Sequence, residues 1–418
     1  MKMTTNNIPQ GYKDSPLGII PEEWEVKKLR EIAEINPTRK DFISPFVTFL
    51  SMADISEHGG ILKENIIPQN SIKPGLASFK RGDIIIAKIT PCFENGKGAL
   101  LNNITNEYGF GSTEFHVIRC KQCNLFIYYH TMSYAFRKRL ESQMTGSAGQ
   151  KRVPADSISS YKIPVPPLSE QQKIAEVLST WDKAIEKQSR LIEKLELRKK
   201  GLMQQLLTGK KRLPGFSSEW EEVKLWEIGT FFKGAGVPKD EISSSGAYKC
   251  LTYGDIYTKY NTQIKDVKCF ISQETAKISK KIEYGDICFA SSGETLKDIG
   301  KCAVFVDDNI GYAGGDIIIF RKNIKTNPIL LAYILNSEYV NKQKYSVGQG
   351  HSVVHIYIHN LEKIKIKIPY IKEQSAITEL LSYCDKEIKL AYQKLKILKQ
   401  QKKGLMQVLL TGKKRIIQ

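Results

Sequence analysis

The sequence predicts an α/β-mixed (α+β) chain in which two tandem variable domains are separated by two long helices pairing as an antiparallel coiled coil, with pseudo-twofold symmetry. Three observations predict it: a gapless internal repeat, a heptad pattern inside both copies, and short β-rich runs between them. Lys200-Gly-Leu-Met-Gln-Gln-Leu-Leu-Thr-Gly-Lys-Lys-Arg212 returns 203 residues later as Lys403-Gly-Leu-Met-Gln-Val-Leu-Leu-Thr-Gly-Lys-Lys-Arg415, with one difference in thirteen positions. The same offset carries Pro166 to Pro369, Glu170-Gln171 to Glu373-Gln374, Asp182 to Asp385 and Ile185 to Ile388. A fainter repeat relates Trp24 and Leu29 to Trp220 and Leu225, and Gly82-Asp83-Ile84 to Gly285-Asp286-Ile287. The chain thus divides into an N-terminal segment (1–23), a first variable domain (24–168), a first spacer helix (169–212), a second variable domain (213–371) and a second spacer helix (372–418).

The helices come from residues of high helix propensity, with Gly201 and Gly404 the only interior glycines and no interior proline over 169–208 and 372–411. Two series spaced by seven mark a seam in the first, namely Ile174, Trp181, Gln188, Leu195 and Leu202, and Leu178, Ile185, Ile192, Lys199 and Leu206. The second repeats it with Ile377, Cys384, Ala391, Leu398 and Leu405, and Leu381, Ile388, Leu395, Lys402 and Leu409. Five heptads in register predict a coiled coil; one face of an ordinary globular helix is the alternative. Ser169 and Gln172 can form a capping box, which Lys372 interrupts in the second copy. Antiparallel pairing follows from reach. A helix of about 39 residues is roughly 58 Å long, whereas the linker Leu213–Glu219 spans at most about 25 Å. Pairing of that kind places the variable domains at opposite ends, about 17 base pairs apart if laid along a duplex.

In the variable domains, Phe46–Leu50, Asp83–Ala87 and Phe115–Ile118, then Ile287–Ala290, Cys302–Val306 and Ile317–Phe320, predict buried strands, with helices over Asn124–Ser142 and Asn327–Lys344. After each Gly-Asp-Ile strand comes a polar loop. The first offers Lys88, Thr90, Asn95 and Lys97; the second offers Ser291, Ser292, Glu294, Thr295 and Lys297. A glycine-rich turn adds Gln150, Lys151 and Arg152, loosely matched by Gln349 and His351. Lysine and arginine suit phosphates and guanine, asparagine and glutamine suit adenine, and glutamate accepts from cytosine. A solvated loop is the alternative role for any single one of them.

Composition narrows the function classes. The chain has 418 residues, 41% of them hydrophobic and 26% charged, and 63 Lys plus Arg against 44 Asp plus Glu give a formal charge of +19. Such an excess favours a polyanion as partner. No apolar run approaches a membrane span, and the polar stretch Met1–Tyr12 lacks the core of a secretory signal, so the chain is expected in the cytoplasm. The eight scattered cysteines read as reduced thiols. Cys120 and Cys123, with His116 and His130 nearby, lack the second pair of a structural zinc site, and no metal is expected. No methyltransferase tetrapeptide, phosphate-binding loop or nucleophile motif is legible, so catalysis is expected to belong to partners.

The paired proline stretches before Glu-Gln (Ile163–Gln171 and Ile368–Gln374), the Ile…Leu…Asp-x-x-Ile helices that follow and the two Leu-Met-Gln-x-Leu-Leu-Thr-Gly ends resemble, over essentially the whole chain, the specificity (S) subunit of type I restriction-modification systems. The resemblance implies two target-recognition domains, each reading half of a bipartite site in double-stranded DNA, and helices that act as a ruler and dock two methylation (M) subunits. It also implies optional restriction (R) subunits, with S-adenosylmethionine, ATP and Mg held by partners and no cofactor in this chain. Gln150-Lys-Arg-Val-Pro154 and Thr113-Glu114-Phe115, preceded by Ser112, look typical of the family, while the second copy is looser there. Two other readings remain: a coiled-coil DNA-binding regulator or architectural protein acting alone, and a single-chain modification enzyme with unrecognised motifs.

Overall fold

The computed structural model describes residues 8–38, 44–57, 59–147, 149–293, 299–348 and 354–416. The chain forms two compact units, residues 1–189 with 393–418, and residues 190–392. Each takes half of both long helices, Leu168–Leu206 and Ile371–Leu409.

In the first unit the strands of the two main sheets are β1 (Ala33–Ile35), β2 (Phe46–Leu50), β3 (Asn65–Pro68), β4 (Ala77–Lys80), β5 (Ile84–Ala87), β6 (Gly98–Leu100), β7 (Tyr108–Gly111) and β8 (Phe115–Cys120). They make two four-stranded sheets, β3-β2-β7-β4 and β1-β8-β5-β6, in which only β2 and β7 run parallel. Strand β5 explains its own apolar sequence. Ile84 and Ile86 face a core shared with the helices, Ile85 faces the core between the sheets, and all three are fully buried. The second unit repeats the plan with β9 (Gly229–Lys233), β10 (Tyr248–Leu251), β11 (Gln263–Ile264), β12 (Phe270–Ile271), β13 (Lys280–Ile282), β14 (Ile287–Ala290), β15 (Ser292–Gly293), β16 (Cys302–Phe305), β17 (Gly311–Ala313) and β18 (Ile317–Lys322). Its sheets run β9-β18-β14-β16-β11 and β12-β10-β17-β13, so the short strand β11 is an addition. Ile287 and Phe289 face the helices, Cys288 and Ala290 the other sheet.

The Gly-Asp-Ile motif enters the central strand of each unit through the same device. Gly82 and Gly285 take φ of 88° and 91°, in the left-handed region where a side chain is strained. Asp83 Oδ2 then accepts from the Lys80 amide and Asp286 Oδ2 from the Glu283 amide, each at 2.8 Å. Both carboxylates also receive a two-pronged guanidinium, from Arg119 and Arg321 on the neighbouring strand.

The helices expected over 124–142 and 327–344 are each broken in two. Asn124–Met132 is followed by Tyr134–Glu141, and Pro328–Leu335 by Glu338–Val347. The reason is local: Ser133 and Ser337 have extended backbones and turn their hydroxyls onto the amides of Phe136 and Val340, opening a new helix.

The long helices pack antiparallel, as seen separately inside each unit. In the first, Lys402 Nζ meets Asp182, which also accepts from the Tyr129 hydroxyl; in the second, Lys199 meets Asp385, which accepts from Tyr333. The expected seam positions are inward. Ile174, Leu178, Ile377 and Leu381 are buried in the domain cores, Leu195 is buried, and Trp181, Ile185, Leu202, Ile388, Leu395, Leu398 and Leu405 are half-buried.

Helix starts differ from the expected capping box. The first long helix begins at Leu168, so Ser169 lies inside its first turn, and it is Gln171 Nε2 that donates to the Pro166 carbonyl at 2.9 Å. Gln374 repeats this on Pro369 at 2.8 Å, and Lys372, like Ser169, lies within the first turn rather than at the cap. The preceding glutamates have a different task. Glu170 accepts from Trp24 Nε1 at 3.0 Å and from Arg415; Glu373 accepts from Trp220 Nε1 at 3.0 Å and from Arg212. The thirteen-residue repeat is built for this contact. Leu206-Leu207 and Leu409-Leu410 are buried, and Gly209 and Gly412 turn the chain at φ of 68° and 72°. At Gly412 a Cβ would sit 2.4 Å from Pro21, so no larger residue fits there unchanged.

Candidate nucleic-acid interface

Three loops meet at the end of strand β5. Lys88 donates its amide to the Glu114 carbonyl at 2.9 Å and accepts at its own carbonyl from the Val153 amide at 2.9 Å, while the Thr90 amide donates to the Lys151 carbonyl at 3.0 Å. The loop 88–97, the turn Ser112–Glu114 and the glycine-rich turn ending at Arg152 are thereby tied into one surface. Arg152 spans two of them with a bidentate contact to Glu114, Nη2 to Oε1 at 2.9 Å and Nε to Oε2 at 3.0 Å. That hydrogen-bonded guanidinium, helped by the Lys88 charge, holds the Glu114 carboxyl below the usual range.

Within this surface the expected contact residues divide by what their side chains already do. Asn95 donates to Glu57 at 2.9 Å, Lys97 to the Met52 carbonyl at 2.9 Å, and Ser112 accepts from the Glu114 amide. Thr90 has its hydroxyl 3.3 Å from the Lys151 carbonyl. Lys88, Thr113, Gln150 and Lys151 make no side-chain hydrogen bond or ion pair among the described residues, and all but Lys88 are exposed. These four are the donors and acceptors left for an outside partner. Beneath the loop lies Arg137, buried, donating to the carbonyls of Thr131 at 2.8 Å and Phe93 at 3.1 Å, with its guanidinium 4.7 Å from the Phe93 ring centre. Burial pushes it down to about 10, so it remains a cation near neutral pH. Gly96 is required beside it, because a Cβ there would lie 2.8 Å from the Glu57 carbonyl oxygen.

The second unit brings the corresponding loops together. Ser291 donates its amide to the Asp316 carbonyl at 3.0 Å, and the Ile356 amide returns to the Ser291 carbonyl at 2.9 Å. Strand β15 pairs with Val354–His355, and Ser292, buried, shares a 3.0 Å hydrogen bond with His355 Nδ1. The Ser292 hydroxyl is therefore occupied within the protein. Glu294, Thr295, Lys297, Gln349 and His351 lie outside the described residues.

Sequence reasoning named Glu114 only within the family-like run Thr113-Glu114-Phe115, and passed over Arg137, Asp316 and His355. Only one signal could have found any of them: the 203-residue offset, extended without a gap, takes Arg152 to His355 and Val153 to Ile356. Burial pushes the Cys120 thiol up to about 12 and raises Cys123 too, which disfavours their thiolate forms. Among the described residues no group of three His, Cys, Asp or Glu side chains is placed to hold a metal, and no helix is long and apolar enough to cross a membrane.

Residues 21–197 and 217–400 each match the family model described as the type I restriction modification DNA specificity domain, so the two units carry one copy each of most of the match. The chain belongs to the type I restriction-modification specificity family. Within that family it is 25% identical to the type I restriction enzyme MjaVIII specificity subunit of Methanocaldococcus jannaschii, over 95% of this chain and 94% of that one. It is 43% identical over 162 residues to the EcoAI specificity subunit of Escherichia coli, a stretch equal to 37% of this chain. The chain spans only 27% of that relative's length, and 28% of the EcoEI specificity subunit's. Among solved structures, the type I restriction-modification S subunit from M. genitalium shares the fold with a TM-score of 0.55 at 16% identity, covering 98% of both chains. A second structure, described as concerning assembly and conformational transition of the type I system, gives 0.62 at 18% identity over 94% of this chain and 99% of that one.

Proposed function

We propose that this chain is the DNA-recognition subunit of a type I restriction-modification complex, each unit reading one half of a split site in double-stranded DNA. The observation that carries the reading is the duplicated three-loop surface: one scaffold, secured twice by the same buried pairs, presents two different sets of side chains. Lys88, Gln150 and Lys151 supply charge and donors in the first unit, whereas Ser291 and the aromatic side chains after His355 stand in the corresponding region of the second. Two readers that share a scaffold and differ in their loops suit a target with two unlike halves. The long helices would set the spacing and dock two M subunits. S-adenosylmethionine, and ATP with Mg where R subunits join, would sit on those partners, making the assembled complex an adenine methyltransferase in which this chain does no chemistry.

Co-expression with its M subunit and mapping of genomic adenine methylation tests the reading. A split motif should appear only when this chain is present, and exchanging residues 220–369 for those of a relative should alter one half-site and leave the other intact. Methylation that ignores this chain, or changes in both halves, would refute it.

A further inference from the structure

Resting on the reading just given, we propose that His355, Tyr357 and His359 form an aromatic contact strip that engages nucleobases of the half-site read by the second unit, a contact with no counterpart in the first. The three rings are offset-stacked in sequence order. His355 and Tyr357 have centroids 6.5 Å apart with an interplanar angle of 27°, and Tyr357 and His359 are 5.8 Å apart and almost parallel at 8°. His355 ends the strand Val354–His355, Tyr357 caps the short helix Ile358–Glu362 and His359 lies in that helix's first turn, and Tyr357 is left 46% exposed. With Lys233 and Ser291 they line a cleft of about 460 Å³.

Position and chemistry both point to DNA. His355 belongs to the ribbon that closes the three-loop surface, where the first unit has Arg152. Its Nδ1 is committed to Ser292, while Nε2, the Tyr357 hydroxyl and the His359 ring nitrogens have no hydrogen-bond partner among the described residues. Closely set rings cost little entropy to present, their open faces can pack on thymine methyls, and their polar edges can bond base edges in a groove. Asp316 and Glu362 on the same cleft add acceptors for exocyclic amines, and Lys233 adds a phosphate donor. The corresponding first-unit positions, 203 residues earlier, are Arg152, Pro154 and Asp156, none of them an aromatic ring.

The test uses the complex with its M subunit and three duplexes: the mapped split site, one scrambled in the second half, and one scrambled in the first. Tyr357→Ala combined with His359→Ala is preferred to altering His355, whose bond to Ser292 holds the ribbon. The double variant should weaken binding to the intact site about tenfold and lose less than twofold on the duplex already scrambled in the second half, with an unchanged melting temperature. Tyr357→Phe should restore most of the affinity if the face matters and little if the hydroxyl does; either result sustains the strip. Equal losses on all three duplexes, or none on the intact site, overturn it. A wild-type complex that prefers no split site at all would overturn both this inference and the function on which it rests.

Discussion

Replacing Arg119 by methionine should destabilise the first unit by about 3 kcal/mol, and the figure can be worked from the contacts of Asp83. That carboxylate is 1% accessible and receives three hydrogen bonds: Nε of Arg119 at 3.0 Å, Nη2 of Arg119 at 2.8 Å, and the Lys80 amide at 2.8 Å. Methionine keeps much of the arginine's bulk but removes two of these three donors and the guanidinium that faces the carboxylate. Breaking a buried pair by deleting one partner typically costs about 3–5 kcal/mol, because the surviving charge is left uncompensated. The low end applies, since the Arg119 side chain is 22% accessible and water can replace part of it. For a unit of this size each kcal/mol moves the melting temperature by roughly 2–4 °C, so a drop of about 6–12 °C is expected. Calorimetry measures the loss, and hydrogen exchange read by peptide mass should confine it to the first unit. Adding Asp83→Asn, which keeps an oxygen for the Lys80 amide and removes the stranded charge, should recover more than half of it. A loss below 1 kcal/mol, or a double variant no better than the single, would show that the pair does not secure the strand. At Arg321 the same change should cost less, because that side chain is 36% accessible and also contacts Glu283.

Two further predictions concern the helices and the response to acid. Reversing the charge of Lys199 by Lys199→Glu places it against Asp385 and should destabilise the second unit, whereas Lys199→Glu with Asp385→Lys restores the pair; denaturant titration of the four proteins should give a coupling of about 1 kcal/mol or more, and strict additivity would dismiss the pair as a register device. His130 is fully buried with Nε2 unpartnered, and burial pushes its pKa down to about 3. The unfolded histidine titrates near 6.5, so below that pH the unfolded chain takes up a proton that the folded chain refuses, and stability falls as pH drops from about 6.5 toward 3. His116, also lowered by burial, acts in the same direction. His130→Phe should therefore lose less stability than the wild type between pH 7.5 and 5 in urea unfolding; parallel losses would refute the assignment.

What could be read from the sequence was whatever repeats with a period. The central strands announced themselves as apolar runs because both of their faces are covered, and the helices because their inward positions recur every seven residues through two copies. The Gly-Asp-Ile and Leu-Leu-Thr-Gly motifs were visible as repeats, but their purpose was not, since Asp83 meets Arg119 and Leu206 meets its core only after the chain has crossed the domain. The breaks at Ser133 and Ser337 were hidden for a different reason: a serine that starts a new helix and one that merely lies in a helix look alike until the backbone angle is known. Among the loop residues, chemistry indicated which side chains could contact DNA but not which were already occupied. Lys97 and Lys151 are equally basic in sequence, yet one is held by the Met52 carbonyl and the other has no side-chain partner among the described residues.

That division between occupied and unoccupied side chains suggests how such a chain can change its target without losing its fold. The buried carboxylates Asp83, Asp286, Glu170 and Glu373 are each met by an arginine outside the polar loops, and Arg137 grips the first loop through main-chain carbonyls, which any loop sequence supplies. Exchanging Lys88, Gln150 or Lys151 therefore touches none of the contacts that hold the unit together. Arg152 is the exception, because its bidentate bond to Glu114 joins two loops. In the second unit His355 instead bonds the buried Ser292 hydroxyl, joining its ribbon to the loop after the central strand without an ion pair.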